Sequence, residues 1–317
     1  MKTVGMPDIG DIKKAYERIR PYIHETPVLT SSQVNSIFGA SLFLKCENFQ
    51  KVGAFKFRGA TNALLMLGEE ELSRGVVTHS SGNHAAALAL AARMRGVPAY
   101  IIMPSNSPQV KKDAVAGYGA EITYCEPTLA AREETAARKI KEKGATFVHA
   151  YDNLNVICGQ GTCGLELVNE KPNLDIVVAP VGGGGLMSGT VTAVKGLNRF
   201  IRVIGAEPIG ADDATRSFRT GTHITHHTPH TIADGLLTTL SERTFSIIKA
   251  GVDDMLTATD ESIIECMRIV WERMKIIIEP SSAVSLAVIM ENRELFRGKN
   301  VGLIMSGGNV DLRNLPF

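Results

Sequence analysis

GVVTHSSGNHAAALALAARMRGVPAYIIMPSNSPQVKKDAVAGYGAEITYCEPTLAAREETAARKIKEKGATFVH, residues 75–149, is the stretch that decides the fold class. Short apolar or β-branched runs at 75–78, 99–103, 121–125 and 146–149 alternate with helix-length segments at 83–95, 108–118 and 129–143. Strands spaced by helices of about 10–15 residues argue for a parallel sheet, because a parallel return needs a crossover of roughly that length. Outside this stretch the alternation resumes. DIVVAP at 175–180 reads as a buried strand, 186–197 as a helix, RVIGAE at 202–207 and GLIM at 302–305 as further strands. DIKKAYERIRPY at 11–22 reads as an opening amphipathic helix. Thr259 can cap another, whose Ile263, Met267, Val270, Trp271 and Met274 share one face. The expected fold is α/β, with two doubly wound domains of mainly parallel sheet. Residues 1–74 and 150–317 would form the large domain and 75–149 the small one inserted in it.

Composition narrows the function classes. Lys and Arg total 34 against 33 for Asp and Glu, so the basic excess of a nucleic-acid binder is missing. No apolar stretch approaches the roughly 18 residues of a membrane span, and the N-terminal residues do not resemble a secretory signal. The five cysteines, Cys46, Cys125, Cys158, Cys163 and Cys266, form no CxxC pair and read as free thiols of a reducing compartment. The expectation is a cytoplasmic protein.

Four motifs carry chemistry. VAPVGGGGLMSG at 178–189 sets four glycines between a strand and a helix. Glycine costs about 0.5–1 kcal/mol relative to alanine in regular structure, so such a run needs a reason. Close approach of bare N–H groups to a phosphate at a helix N-terminus is one, and a flexible loop is the other. In KVGAFKFRGA, 51–60, Lys56 lies between Phe55 and Phe57. Apolar surroundings lower a lysine's pKa and favour a neutral amine able to form a Schiff base; alone, the motif equally fits a snorkelling lysine. THSSGNHAA at 78–86 gathers Ser80, Ser81, Asn83 and His84 where a strand ends and a helix begins, a place suited to a substrate carboxylate. MSGGNVDL, 305–312, puts Ser306 at the end of the late strand. GQGTCG, 159–164, matches GxGxxG but follows the polar YDNLN instead of a strand, so it reads as packing at a helix terminus and only secondarily as a dinucleotide site.

Together and in this order, these motifs resemble the fold-type-II pyridoxal-phosphate enzymes, the serine racemase and serine/threonine dehydratase family. The resemblance spans HETPVLTSS at 24–32 to SGGNVDL at 306–312. It implies that Lys56 carries the cofactor covalently, Gly182, Gly183, Gly184, Gly185 and Leu186 hold its phosphate, and Phe55 packs on its ring. Asn83 would bond the 3′-oxygen and Ser306 the pyridine nitrogen, with Ser80, Ser81, Asn83 and His84 about the substrate. It implies further that Lys56 and Ser81 work on opposite faces, as proton acceptor and donor. Many threonine dehydratases of the family carry alanine at the Ser81 position, so serine there leans toward racemisation, although dehydratases acting on hydroxyaspartate or serine can also read SSGNH. YDN at 151–153 looks more dehydratase-like.

The resemblance also implies Mg²⁺ or Mn²⁺ on Glu207, Asp213 and the carbonyl of Ala211, within GAEPIGADDA at 205–214. From the residues alone, Asp212 and Asp213 read as acids opening a helix. An ATP effector near Ser31, Ser32, Gln33, Lys51 and Tyr118 and a homodimer are also implied, although Val52 stands where the family has threonine. HITHHTPH at 223–230 reads as a solvated loop and not as a metal site. The leading expectation is a serine racemase with concurrent L-serine elimination to pyruvate and ammonia. A dehydratase of threonine or threo-3-hydroxyaspartate comes second, and an NAD-dependent oxidoreductase or a non-catalytic amino-acid-binding module are the rivals from other classes.

Overall fold

The computed structural model describes residues 6–80, 82–107 and 109–317. Among the described residues ten strands follow in order: β1 Val28–Leu29, β2 Ser41–Cys46, β3 Val76–His79, β4 Ala99–Pro104, β5 Glu121–Cys125, β6 Thr146–Phe147, β7 Ile176–Pro180, β8 Arg202–Pro208, β9 Asp254–Ala258 and β10 Asn300–Met305. They form two sheets. The first has the order β1-β2-β10-β7-β8-β9 and is parallel except for the β1–β2 pair. The second, β5-β4-β3-β6, is parallel throughout and draws all its strands from residues 76–147.

The larger sheet is covered on both faces, and the alternation of its side chains shows how. Ile176 and Val178 of β7 join a cluster with Met267, Val270, Val284 and Leu286. Their neighbours Val177 and Ala179 face the other way, onto Ile157, Leu167, Met187 and Val191. Strands buried on both faces read as continuous apolar runs, which is why DIVVAP stands out in the sequence. The helices of the 75–149 stretch run Asn83–Arg95, Gln109–Gly117 and Leu129–Lys143; Pro108, with which the second was expected to open, lies outside the described residues. The opening helix runs Ile9–Ile19, two residues earlier than expected at its start and three at its end. Asp8 caps it in a reciprocal box with Asp11.

GQGTCG is not at a helix terminus. It occupies the middle of the Leu154–Glu170 helix, which starts on the Asn153 cap. Its glycines let backbones touch. A Cβ on Gly159 would stand 2.6 Å from the Arg58 carbonyl oxygen, and one on Gly161 2.7 Å from that of Gly189. The match is helix packing and carries no dinucleotide site. A test follows. At Gly189 a Cβ would meet the Ile157 oxygen at 2.4 Å and the Gly161 nitrogen at 2.5 Å, both backbone atoms that cannot rotate away. Alanine gains about 1 kcal/mol of helix propensity but forces the two helices apart, at about 1–3 kcal/mol or more. Gly189→Ala should therefore lose roughly 1–2 kcal/mol in denaturant unfolding; unchanged or higher stability would contradict this crossing. Among the described residues no helix is long and apolar enough to cross a membrane.

Candidate active site

The carboxyl ends of β3, β7 and β10 each lead into one of the motifs, the position at which open α/β sheets bind ligands. After β7 comes the glycine run, then the helix Gly185–Leu197. The run is buried, not floppy. A Cβ on Gly183 would fall 2.3 Å from the Tyr151 ring, and one on Gly185 2.8 Å from the Tyr151 Cβ. Gly184, at φ +82°, is the helix N-cap and supplies no side-chain cap. The Thr244 hydroxyl ties the loop from behind, donating to the Gly183 carbonyl at 3.0 Å. A buried helix N-terminus with uncapped N–H groups calls for an anion.

Lys56 opens the helix Lys56–Leu65. Its Nζ lies 5.1 Å from the Phe55 ring centroid and donates to the Ala150 carbonyl at 3.1 Å. Burial pulls its pKa down to about 8, while the charge of Glu279 opposes the shift. That moves the amine toward what a Schiff base needs, a far larger neutral fraction near physiological pH than an ordinary lysine has. The segment before it is pinned to the SGGN turn. Phe55 N donates to Ser306 O at 3.0 Å, Gly308 N to Gly53 O at 3.0 Å, and Ala54 bridges Gly307. Two motifs about 250 residues apart are thereby joined.

Ser306 is 3% exposed and its hydroxyl lies 3.1 Å from that of Ser282. Asn83 starts the helix after β3. Its Nδ2 donates to both oxygens of Glu279, at 3.0 and 3.3 Å, and its Oδ1 accepts from Asn309 Nδ2 at 2.8 Å. Ser80 Oγ accepts from Gly82 N at 3.3 Å. His84 is 2% exposed, its Nε2 3.1 Å from the Val148 carbonyl, with the pKa pushed down to about 3 by burial and then by the Lys56 charge. This imidazole is neutral and interior, so at the helix N-terminus the residue has its backbone N–H to offer. Ser81 lies outside the described residues.

Residues 19–307 match the family of pyridoxal-phosphate dependent enzymes. The chain belongs to that family. It is 51% identical to a beta-hydroxyaspartate dehydratase from Paracoccus denitrificans, over 98% of this chain and 99% of the relative. It is equally 51% identical to a serine racemase from Dictyostelium discoideum, over 99% and 98%. The crystal structure of a serine racemase from Dictyostelium discoideum superposes with a TM-score of 0.92 at 52% identity, covering 96% of this chain and 99% of that one. The fold is accordingly fold type II, and the enzyme depends on pyridoxal phosphate.

The residues present fit this cofactor. The uncapped glycine turn suits a phosphate, the depressed amine suits an aldehyde, and the Ser306–Ser282 pair offers a neutral hydroxyl to a ring nitrogen. Sequence reasoning missed three contributors. Glu279, buried at 4% exposure, links Asn83 to Asn309, whose backbone N–H it accepts at 3.2 Å. Burial raises its pKa to about 7, with Asp234 adding to the shift. Tyr151 lines the glycine turn. Arg58, two residues after Lys56, is wholly buried between Glu47 and Glu166. Arg58 and Tyr151 lie inside the quoted KVGAFKFRGA and YDN stretches without a local signal of these contacts, and Glu279 directly precedes a proline that opens a helix.

The carboxylate pair sits apart, at the carboxyl end of β8 and the start of the next helix. Glu207 accepts from Ala214 N at 3.2 Å and Thr215 N at 2.6 Å, so it caps the helix Asp213–Thr220. Burial and then the Asp213 charge push Glu207 up to about 8; burial raises Asp213 as well. Both Asp213 carboxylate oxygens lack a hydrogen-bond partner. Ala211 is buried in the turn just before. The solvated reading of HITHHTPH needs correcting. His226 and His230 are exposed. His223 stacks on Phe245 at 5.1 Å, and the His227 side chain, only 8% exposed, faces Asp213. Ile224 N donates to Ser217 Oγ at 2.9 Å, which ties the loop to the Asp213–Thr220 helix.

Proposed function

We propose that the chain racemises serine and also eliminates the β-hydroxyl of L-serine, giving pyruvate and ammonia. The observation that carries this reading is the depressed amine of Lys56, on a segment that Phe55 N ties to the Ser306 carbonyl, together with the neutral Ser306–Ser282 hydroxyl pair. Bound here, pyridoxal phosphate supplies a place for the electron pair left on a substrate α-carbon. The neutral Ser306 hydroxyl would leave a ring nitrogen held there unprotonated, so the electron storage supplied would be weak, which fits prompt reprotonation or β-elimination. Gly182 to Gly185 and Leu186 orient the phosphate, Phe55 the ring, and Asn83 the 3′-oxygen. Ser80 and the N–H groups at the start of the Asn83–Arg95 helix receive the substrate carboxylate, the role proposed also for His84 through its backbone. The Lys56 amine accepts the α-proton on one face; Ser81 donates one on the other. Loss of the β-hydroxyl takes up that proton as water, and hydrolysis completes the release of pyruvate and ammonia.

A second reading is threo-3-hydroxyaspartate or threonine dehydration without useful racemisation. The 51% identity to a beta-hydroxyaspartate dehydratase supports it, as does Tyr151 at the glycine turn. Product analysis separates the two. Holoenzyme given each enantiomer of serine, threonine, aspartate and 3-hydroxyaspartate should form D-serine from L-serine along with pyruvate. Exclusive keto-acid formation from hydroxyaspartate would favour the second reading. Ser81→Ala should lower D-serine formation by about 10²-fold or more while L-serine elimination persists. Equal loss of both products would remove Ser81 from the donor role.

Further assignments rest on the same family logic. A Mg²⁺ or Mn²⁺ ion on Glu207, Asp213 and the Ala211 carbonyl would satisfy the orphaned Asp213 oxygens and let two buried carboxylates ionise together. ATP near Ser31, Ser32, Gln33, Lys51 and Tyr118 is consistent with exposed Ser32 and Gln33, although the Ser31 hydroxyl already caps a helix. Residues 75–149 act as a small domain against the rest, a division that the separate four-stranded sheet supports. The assembly is a homodimer, and the compartment is the cytoplasm.

A further inference from the structure

We propose that Arg243 and Asp152 set the charge beside the glycine turn, Arg243 acting as a positioning residue that lets a phosphate sit next to the Asp152 carboxylate. The inference rests on the assignment of the cofactor phosphate to Gly182, Gly183, Gly184 and Gly185.

Two segments from distant parts of the chain close on that turn. On one side is Tyr151: a Cβ on Gly185 would stand 3.0 Å from its Cα and 3.4 Å from its carbonyl oxygen. Asp152 follows directly, and its backbone is fixed. The N–H groups of Tyr151 and Asp152 both donate to His149 Nδ1, at 3.3 and 2.9 Å. On the other side is Thr244, whose hydroxyl holds the Gly183 carbonyl and whose Cβ would meet a Cβ on Gly184 at 2.8 Å. Arg243 is the residue before it. Its NH1 donates to Asp152 Oδ1 at 2.6 Å, so an ion pair joins the two segments beside the turn.

Folding alone gives little reason for this pair. Arg243 lies in the first turn of the helix Glu242–Gly251, where the helix dipole disfavours a cation. Both side chains are 37% exposed, and an ion pair so open to water contributes little to stability. Its place gives it another role. A phosphate ester carries about −1.5 to −2 charges at neutral pH, so a lone Asp152 carboxylate beside the turn would repel it. The Arg243 guanidinium cancels that repulsion. Both charges reach into the site. Burial pulls the His149 pKa down to about 4; Asp152 opposes that shift and Arg243 adds to it.

The test uses the full-length enzyme, freed of cofactor with hydroxylamine and titrated with pyridoxal phosphate or with pyridoxal, which carries the aldehyde without the phosphate. The readout is the ratio of the two dissociation constants, in which attachment at Lys56 cancels. Arg243→Gln leaves the Asp152 charge uncompensated and should cut the preference for the phosphorylated aldehyde by about fivefold or more at low salt. Asp152→Asn frees the guanidinium and should raise that preference by a similar factor. Arg243→Lys keeps the charge and should stay close to wild type, as should Arg243→Gln combined with Asp152→Asn. Asp152→Asn decides the matter even if Arg243→Gln misfolds, because no loss of fold tightens binding. A weaker preference in both single variants would make the pair a mechanical strut and overturn the charge assignment, as would no change in either. A wild type that binds pyridoxal as tightly as pyridoxal phosphate would instead overturn the phosphate assignment itself.

Discussion

Lys56→Ala should abolish turnover, by roughly 10⁴-fold, the upper end of what a positioned acid–base group supplies. Borohydride reduction of the wild type followed by peptide mapping should place the cofactor on Lys56, and the variant should retain none covalently after denaturation. The fold should survive, because Nζ makes one hydrogen bond, to Ala150 O, and an amine that burial discourages from carrying charge is inexpensive to remove. Covalent cofactor on any other lysine would refute the assignment. The pH dependence has a definite sign. Protonated amines do not attack aldehydes, so cofactor attachment to the apoenzyme should speed up as pH rises and level off above about 8, the value to which burial lowers Lys56. A lysine at its ordinary 10.5 would keep accelerating beyond that point. Glu279→Gln removes the negative charge that opposes the shift, so the curve should move to lower pH. A curve that stays in place would separate Glu279 from Lys56.

The second large effect lies beneath the site. Arg58 is 0% exposed, and all five of its N–H donors are engaged. Nε and NH2 reach Glu47 at 2.7 and 2.8 Å, NH1 and NH2 reach Glu166 at 2.6 and 2.8 Å, and NH1 also reaches Thr162 Oγ1 at 3.2 Å. Lys45 adds a second cation, 2.6 Å from Glu166. Two carboxylates and two cations therefore cancel inside the protein. Burial alone would push Glu47 up, but Arg58 holds it below the ordinary carboxylate range. Arg58→Met leaves Glu47 without its main partner, and breaking such a buried pair costs about 3–5 kcal/mol. Arg58→Lys should fare little better, since an ammonium cannot serve two carboxylates bidentately. Urea unfolding measures the loss. Within 1 kcal/mol of wild type, the tetrad would have no place in holding the Lys56 helix. Restoration by Arg58→Met with Glu47→Met, which keeps the Lys45–Glu166 pair, would show that the penalty comes from stranded charge.

Much of this was legible in the chain. The Leu129–Lys143 helix begins at the Thr128 cap, and both it and Asn83–Arg95 close on a left-handed glycine, Gly144 and Gly96, because caps act within four residues. Other elements were not. The helix Pro280–Glu291 is apolar or small nearly all round and buried, so it shows no periodic face. The Leu154–Glu170 helix hides behind glycines that contact other helices, which is how a packing motif imitates a nucleotide fingerprint.

By itself the sequence determined the elements and the chemistry stored at their ends: parallel strands, a glycine turn for an anion, a lysine among phenylalanines, a serine after the last strand. Those signals are local, set by backbone sterics and by side chains within a turn of each other. Only the tertiary structure decided which distant groups meet. Glu279 against Asn83, Ser306 against the Lys56 loop, Arg58 between Glu47 and Glu166, and His227 against Asp213 are all products of chain crossing. Burial then shifted their charges, and burial belongs to the fold and to no short stretch of residues.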